Sequence, residues 1–349
     1  MKEFKILKIK YLSVFLTLVV ILLNSCDNDD DSSGQIESEI VLDYADREIS
    51  SDDDFIRNTI QVGSNSDEFF SYIDEGEGDP ILFLHGAPTY SYLWRNVIPH
   101  LSDNARVIAL DWMGSGNSGS STDGDYSYLK QLEYLESFID QLGLTDITLV
   151  LHDWSTVTAL TYAHQNQDKI KAIATFEAVY FPIPSVSVMP ELAQQFIGPE
   201  GERMIVDENA FMEIMLPNFS IRGLTNTENE NYRRRWKTRE NRFSLLAVPK
   251  GLPIAGEPVD LWEQFGAAST WFSQASTNIP KFFTHSIEGP GILVTNDIVD
   301  PNTGATMIDI VSSFTNTTVT PVFGPGLHFI QEDNPHDLGI ALSNWYDSL

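Results

Sequence analysis

The composition of this 349-residue chain predicts a globular protein without nucleic-acid partners. With 42% hydrophobic residues, the chain is long enough to bury one large core, or a core with a sizeable inserted domain. Fifty acidic residues against 21 basic ones give a formal net charge of -29 at pH 7. A phosphate backbone would therefore be repelled over nearly the whole surface, whereas such acidity suits a saline or extracellular setting.

Residues 1–26 have the pattern of an export signal. Lysines at positions 2, 5, 8 and 10 precede the apolar run "YLSVFLTLVVILLNS", which is shorter than a comfortable membrane span. "LLNSC" resembles a bacterial lipobox, despite the polar Asn24, and implies a lipid on Cys26; an ordinary cleaved signal or an uncleaved anchor is the alternative. We expect an exported protein that is lipid-anchored to a bacterial membrane, at the outer membrane or cell surface. Because Cys26 is the only cysteine, no intramolecular disulfide can form.

The rest of the chain predicts an α/β fold with a mainly parallel sheet and an inserted helical cap. An acidic, disordered tether is expected over 27–39. The α/β core is expected over 40–180 and 281–349, and a cap over 181–280, where strands are hard to find. The segments are, in chain order, two strands and a turn in "IRNTIQVGSNSDEFFSYIDEG", buried parallel strands in "PILFLHG" and "ARVIALD", a helix in "YSYLKQLEYLESFIDQLGL" ending near Gly143, strands in "GILVTND" and "TVTPVFG", and a closing helix in "NPHDLGIALSNWYDSL".

"LVLHDWSTVTALTYA" places a carboxylate at a sharp turn between a strand and a helix. Its apolar start predicts a buried strand, and helix-compatible residues follow His152, Asp153, Trp154 and Ser155. This is the layout of a nucleophile elbow, with aspartate where an acyl hydrolase has serine. A carboxylate is already charged at neutral pH, so it can attack a saturated carbon without a neighbouring base.

Three other patterns favour structural interpretations. "GSGNSG", residues 114–119, matches a dinucleotide-binding fingerprint, but it lies far into the chain and a tight turn needs the same small residues. "YRRRWKTRENR", residues 232–242, is the one basic cluster and predicts a solvated cap helix with local ion pairs rather than an anion site. No two of the seven histidines have the spacing of a helical zinc motif, and we expect neither a metal nor an organic cofactor.

Several motifs occur together in a characteristic order: "FLHGAPTYSYLWRNVIPHL", "RVIALDWMGSGNSG", "LHDWS", "ATFEAVYFPIP", "FMEIMLPN", "LPIAGEP" and "GPGLHFIQEDNP". In order and spacing they resemble the haloalkane dehalogenases of the α/β-hydrolase superfamily, particularly the branch whose catalytic acid is a glutamate just before the cap. The resemblance runs from about Ile60 to the C-terminus and implies the α/β-hydrolase fold.

The resemblance also implies a role for each site residue. Asp153 would be the nucleophile, and His328 the base that activates water to hydrolyse the resulting alkyl ester. Glu177 would orient and stabilise the imidazole. Backbone N–H groups of Ala87 and Trp154 would form the oxyanion hole, and Trp154 would also bind the halide. The expected partners are a small halogenated alkane and water. The sequence does not specify an oligomeric state.

Two departures from the family pattern and one rival residue keep alternatives open. Ala87 replaces the family's halide-binding asparagine, and Ser155 replaces a glycine. Asp297 stands where other branches of the superfamily place their acid, although the motifs around Glu177 favour the glutamate.

An epoxide hydrolase with the same nucleophile, a more remote luciferase-like oxygenase, and a non-catalytic surface lipoprotein that binds a small apolar ligand are the alternative functions. An epoxide hydrolase would need cap tyrosines, for which only Tyr232 and the bordering Tyr180 are available. Residues expected to line the pocket are Phe211, Trp236, Leu245 and Leu246.

Overall fold

The computed structural model describes residues 48–274, 278–288, 306–320 and 322–349. The predicted signal with Cys26, the whole predicted tether and the predicted strand "GILVTND" with Asp297 lie outside these ranges. Across the described ranges, no helix combines the length and apolar character that a membrane crossing requires.

An eight-stranded sheet forms the centre of the molecule, in the order β1-β2-β4-β3-β5-β6-β7-β9. β1 and β2 form the predicted hairpin, and β2 also runs antiparallel to β4. All the remaining neighbours are parallel, as predicted. Its strands are β1 Asn58–Gln61, β2 Phe69–Glu75, β3 Pro80–Leu84, β4 Arg106–Leu110, β5 Ile147–Asp153, β6 Ile170–Ala178, β7 Lys281–Phe283 and β9 Thr317–Val319.

The predicted single strand in "TVTPVFG" is wrong, because the structure has two short strands there. β9 joins the main sheet beside β7, whereas β10, Val322–Pro325, pairs in parallel with β8, Ser286–Glu288, in a separate two-stranded sheet. The sequence has Pro321 between them. Proline has no N–H for a sheet ladder, which favours a break at this point.

Helices pack on the sheet and also fill the chain between β6 and β7. The first helix shows how the sequence sets their ends: the Ser127 hydroxyl accepts the Lys130 N–H, and Gly143 closes the helix at φ +62°. The helices are α1 Tyr128–Leu142, α2 Ser155–Gln165, α3 Glu191–Ile197, α4 Leu216–Asn218, α5 Asn226–Arg233, α6 Phe243–Gly251, α7 Val259–Ser273, α8 Met307–Ser312, α9 Ile330–Asp333 and α10 Pro335–Tyr346.

Five of these helices, α3 to α7, fall within the segment for which the sequence predicts a cap. Two π-helical stretches, Arg203–Asp207 and Phe211–Met215, lie in the same segment. Its extended contacts among the described residues are the isolated bridges of Ile254 with Ile183 and Glu257. The division into tether, core and cap remains a prediction.

Candidate active site

Asp153 lies at the tip of the sharp turn that joins β5 to α2. Its backbone has φ +60°, a conformation that few residues other than glycine adopt. Gly86 faces it from the end of β3, and a Cβ at position 86 would stand 2.4 Å from the Asp153 Cβ. The turn therefore needs a glycine at position 86, so that the carboxylate can occupy this place.

Ser155, the departure from the family's glycine, is accommodated as a buried hydrogen-bonding group. Its Oγ accepts the His152 N–H at 3.1 Å and reaches two carbonyl oxygens, those of Leu84 at 3.0 Å and His152 at 2.7 Å. The hydroxyl thus ties the turn to the end of β3. A buried hydroxyl without such partners would be costly.

The Asp153 carboxylate has Ala87 and His328 as neighbours. The Ala87 N–H donates to Oδ2 at 3.1 Å, which places this predicted oxyanion-hole donor on the carboxylate oxygen. His328 Nε2 lies 3.8 Å from the same oxygen. Trp154 follows Asp153 directly, at the start of α2, and the oxyanion role of its backbone N–H remains a prediction.

His328 lies between two carboxylates and is itself buried. Its Nδ1 is 3.3 Å from Glu177 Oε2, on the side opposite Asp153. Burial alone would lower the pKa of His328, but the hydrogen bonds and charges of Asp153 and Glu177 outweigh it and raise the pKa from 6.5 to about 9. The structure therefore brings together the three residues that the resemblance implied as catalytic, Asp153, His328 and Glu177.

Glu177 reaches His328 from the end of β6. It is 1% exposed, and its backbone is also in the left-handed region, at φ +48°. The rival acid, Asp297, lies outside the described residues.

His152 is a neighbour of His328 that the sequence analysis did not assign. Its Nε2 lies 2.9 Å from the His328 carbonyl oxygen, and the two ring centroids are 4.7 Å apart. Burial, together with the nearby His328, holds the pKa of His152 well below 6.5. The ring is therefore neutral, and Nε2–H donates to the carbonyl. The sequence could have indicated this contact, because His152 stands directly before Asp153 and had been given no role.

An apolar cavity of about 110 Å³ opens above Asp153. A single water needs only about 10–15 Å³ of such space, so the cavity has room for a small organic molecule. Its polar members are Asp153, His328 and Trp154, and the Trp154 Nε1–H is buried with no hydrogen-bond partner among the described residues. The apolar lining comes largely from the helical segment: Ala87, Val179, Met189, Pro190, Leu192, Ala193, Phe196, Ile197, Phe211, Met215, Phe219, Val248, Pro249 and Leu252.

Only one of the four predicted pocket residues, Phe211, lines this cavity. Trp236 and Leu245 instead line a much smaller cavity, and Leu246 lines neither. The two cavities share Ala87, Trp154 and Val248. Trp236 is fully buried and its Nε1–H donates to Ser244 Oγ at 3.1 Å, which directs it into the protein core.

The other sequence patterns have structural partners. The "GSGNSG" loop closes on the buried Asp111 carboxylate, which accepts the Asn117 N–H at 2.8 Å and would repel a phosphate. In the basic cluster, Arg233, Lys237 and Arg239 form ion pairs with nearby acids. Within the described part of the chain, no group of three or more histidine, cysteine or acidic residues is arranged to hold a metal ion.

Comparison with known proteins gives a consistent assignment. Residues 79–335 match the family model for the α/β-hydrolase fold. A haloalkane dehalogenase of Mycolicibacterium smegmatis is 37% identical over 284 residues, covering 79% of this chain and 86% of that protein. A haloalkane dehalogenase of Sphingobium indicum is 36% identical over 282 residues, covering 78% of this chain and 90% of that protein.

Solved structures agree with the sequence relatives. The crystal structure of haloalkane dehalogenase DbeA from Bradyrhizobium elkani superposes with a TM-score of 0.74 at 30% identity, covering 84% of this chain and 98% of that one. The haloalkane dehalogenase DatA from Agrobacterium tumefaciens superposes with a TM-score of 0.72 at 27% identity, covering 85% and 98%. With the fold, the site and the extent of these matches in agreement, the chain belongs to the haloalkane dehalogenase family of α/β-fold hydrolases.

Proposed function

We propose that this enzyme hydrolyses a haloalkane to an alcohol and a halide through an alkyl ester on Asp153. One observation carries the proposal: a carboxylate, rather than a serine hydroxyl, stands at the tip of the turn and at the floor of an apolar cavity. His328 lies within 4 Å of that carboxylate, as the second step requires. The proposal also agrees with the activity for which the relatives are named.

In the first step, the Asp153 carboxylate attacks the carbon that carries the halogen. A carbon–oxygen bond forms, and the carbon–halogen bond breaks with its electron pair on the departing halide. The Trp154 Nε1–H, which has no hydrogen-bond partner in the described part of the chain, belongs to a residue of the cavity wall and is a side-chain donor available to that anion. The side chain of Ala87 is a methyl group, so the halide loses a hydrogen bond that would be worth about 1.5–3 kcal/mol to a charged group.

In the second step, His328 accepts a proton from water while the water oxygen adds to the ester carbonyl. The Ala87 N–H, already directed at Asp153 Oδ2, would stabilise the oxyanion that forms. Collapse of this intermediate breaks the bond between the carbonyl carbon and the alkoxy oxygen. The alcohol leaves with a proton from His328, and the carboxylic acid left on Asp153 then passes its proton to His328, which restores the Asp153 carboxylate and the charged imidazole. Glu177 stabilises the charged imidazole while it holds that proton.

The test is halide release from brominated and iodinated alkanes, with mass spectrometry of variants afterwards. His328→Ala should release at most one halide per enzyme and accumulate an alkyl ester on Asp153. Asp153→Asn should do neither, because its neutral amide is a poor nucleophile. His164→Ala, a half-buried histidine outside the cavity lining, is the matched control and should turn over like the parent enzyme.

Folded parent enzyme that gives neither halide nor adduct would overturn the proposal. The epoxide-hydrolase alternative would then be tested with epoxides, but its cap tyrosines are engaged elsewhere. The Tyr180 hydroxyl lies 3.0 Å from Thr175 Oγ1, the Tyr232 hydroxyl donates to Glu332, and neither tyrosine lines the cavity. Binding of a small apolar ligand without turnover would support the non-catalytic alternative.

We also propose that the protein is exported and anchored by a lipid on Cys26. The support is the sequence alone: the lysine-rich start, the apolar run and the cysteine that follows "LLNS". Mass spectrometry of the mature N-terminus should find diacylglycerol on Cys26. A Cys26→Ala variant should leave the membrane fraction or retain its signal, and recovery of unmodified, membrane-free parent protein would contradict the anchor.

A further inference from the structure

One carboxylate, that of Asp333, joins the loop that carries His328 to a distant part of the chain. Asp333 ends α9, and its Oδ2 accepts the Leu327 N–H at 3.0 Å. Its Oδ1 accepts the Ser220 hydroxyl at 2.7 Å and the Ile221 N–H at 2.8 Å. One oxygen thus holds the residue before His328, and the other holds residues 220–222. We call residues 219–222 the brace segment.

The brace segment also contacts His328 and the residue after it. The Phe219 carbonyl accepts the Phe329 N–H at 3.0 Å. The Phe219 ring packs on the imidazole of His328, with centroids 5.9 Å apart and planes at 78°. Both backbone neighbours of His328 are therefore tied: Leu327 through Asp333, and Phe329 through Phe219.

A buried ion cluster fixes both ends of this arrangement to the core. Arg95 donates to Glu332, on α9, at 2.6 and 2.8 Å and to Glu228 at 2.6 Å. Arg222, the last residue of the brace segment, donates to the same two carboxylates. Two positive and two negative charges balance, so the cluster can be buried without an uncompensated charge. Asp333, next to Glu332, therefore bonds the same brace segment that Arg222 joins to this cluster.

We propose that Asp333 is a positioning residue for His328, required for hydrolysis of the alkyl ester but not for its formation. This inference rests on the proposed function. Formation of the ester uses the Asp153 carboxylate and the departing halide, whereas hydrolysis needs the imidazole directed at a water. A displacement of about 1 Å in such a group costs up to about a hundredfold in rate.

The decisive variant is Asp333→Asn, which keeps the size of the side chain. Its amide oxygen can still accept hydrogen bonds, but its NH₂ group cannot, so one of the two arms is lost. We expect kcat to fall about 10- to 100-fold and kcat/KM to stay within about twofold. The reason is that kcat/KM reports the steps up to the departure of the halide, whereas kcat then reports ester hydrolysis. Rapid mixing should show a burst of one halide per enzyme, and mass spectrometry an accumulated alkyl enzyme.

Two further variants make the test specific. Asp337→Asn places the same change four residues away, at a similarly half-buried aspartate outside the brace, and should leave both parameters unchanged. Ser220→Ala removes one donor to Asp333 and should lower kcat by a smaller factor, again with little change in kcat/KM. This variant also serves as the test if Asp333→Asn does not fold.

Parallel losses in kcat and kcat/KM, without an accumulated adduct, would overturn the positioning role while leaving the proposed function intact. Unchanged kinetics in both Asp333→Asn and Ser220→Ala would overturn it as well. Parent enzyme that forms no adduct and releases no halide would instead refute the proposed function itself.

Discussion

The charge of Asp153 should set the protonation state of His328, and Asp153→Asn tests this directly. The variant keeps the shape of the side chain that lies 3.8 Å from His328 Nε2 but removes its negative charge. Formation of an ester on Asp153 would remove the same charge. The pKa of His328 in the variant therefore stands for its pKa in the covalent intermediate.

The size of the effect follows from the environment of the imidazole. The pKa of His328 rises from 6.5 to about 9, which corresponds to about 3 kcal/mol in favour of the charged form. Burial works against that charge, so the two carboxylates must supply more than this net amount. With Asp153 neutral, only Glu177 at 3.3 Å still favours the proton, and we expect the pKa to fall below about 9, toward 6.5.

Histidine-selective NMR titration of the parent enzyme and Asp153→Asn measures this pKa. His152 is the internal reference, because its pKa lies well below 6.5 and its resonances should not move at neutral or alkaline pH in either protein. A His328 pKa that stays near 9 in the variant would refute the reasoning. Glu177 alone would then hold the proton, and the imidazole could not act as a base in the ester.

Three further changes have expected outcomes. Because the pKa of His328 is raised, its contribution to stability is complete below pH 6.5 and is lost as the pH rises through about 9. Across this range, the free energy of unfolding measured in urea should fall by up to about 3 kcal/mol more for the parent enzyme than for His328→Gln. Equal losses would contradict the raised pKa. Ala87→Asn supplies a second donor beside Trp154 and should speed halide departure about 10- to 100-fold in single-turnover assays, most for chloride; an unchanged rate would show that Trp154 suffices. Gly86→Ala puts a Cβ 2.4 Å from that of Asp153 and should abolish the alkyl adduct in a protein that still folds by circular dichroism; a normal adduct would show that the turn can shift.

The parts of the fold and site that sequence could predict depend on local patterns. The apolar runs of β3, β4 and β5 belong to strands buried on both faces, which have continuous rather than alternating hydrophobicity. The sharp turn at Asp153 could be predicted because the strand pattern of β5 is followed almost at once by the helical pattern of α2, which leaves no room for a longer connection. Since parallel strands end at one edge of the sheet, the turn after β5 and the end of β6 at Glu177 lie side by side.

The lining of the cavity could not be predicted in the same way. Phe211 and Met215 both line it from a π-helical stretch, a rare geometry that the sequence pattern did not predict. Nothing in the spacing of Trp236 and Leu245 distinguishes a core position from a cavity wall. The contacts of Asp333 with the brace segment were equally hidden, because Ser220 and Ile221 lie more than 100 residues earlier in the chain.

The arrangement of charges also determines when the reaction releases its proton. Asp153 and Glu177 place two carboxylates around one buried imidazole, and a buried pair of negative charges is costly without a cation between them. The raised pKa of His328 supplies that cation in the resting enzyme. In the proposed mechanism, ester formation removes one negative charge, which lowers the pKa of the imidazole. It must lose that proton before it can accept another from water. The acid produced overall, one proton for each halide, therefore leaves the site when the ester forms rather than when the ester is hydrolysed.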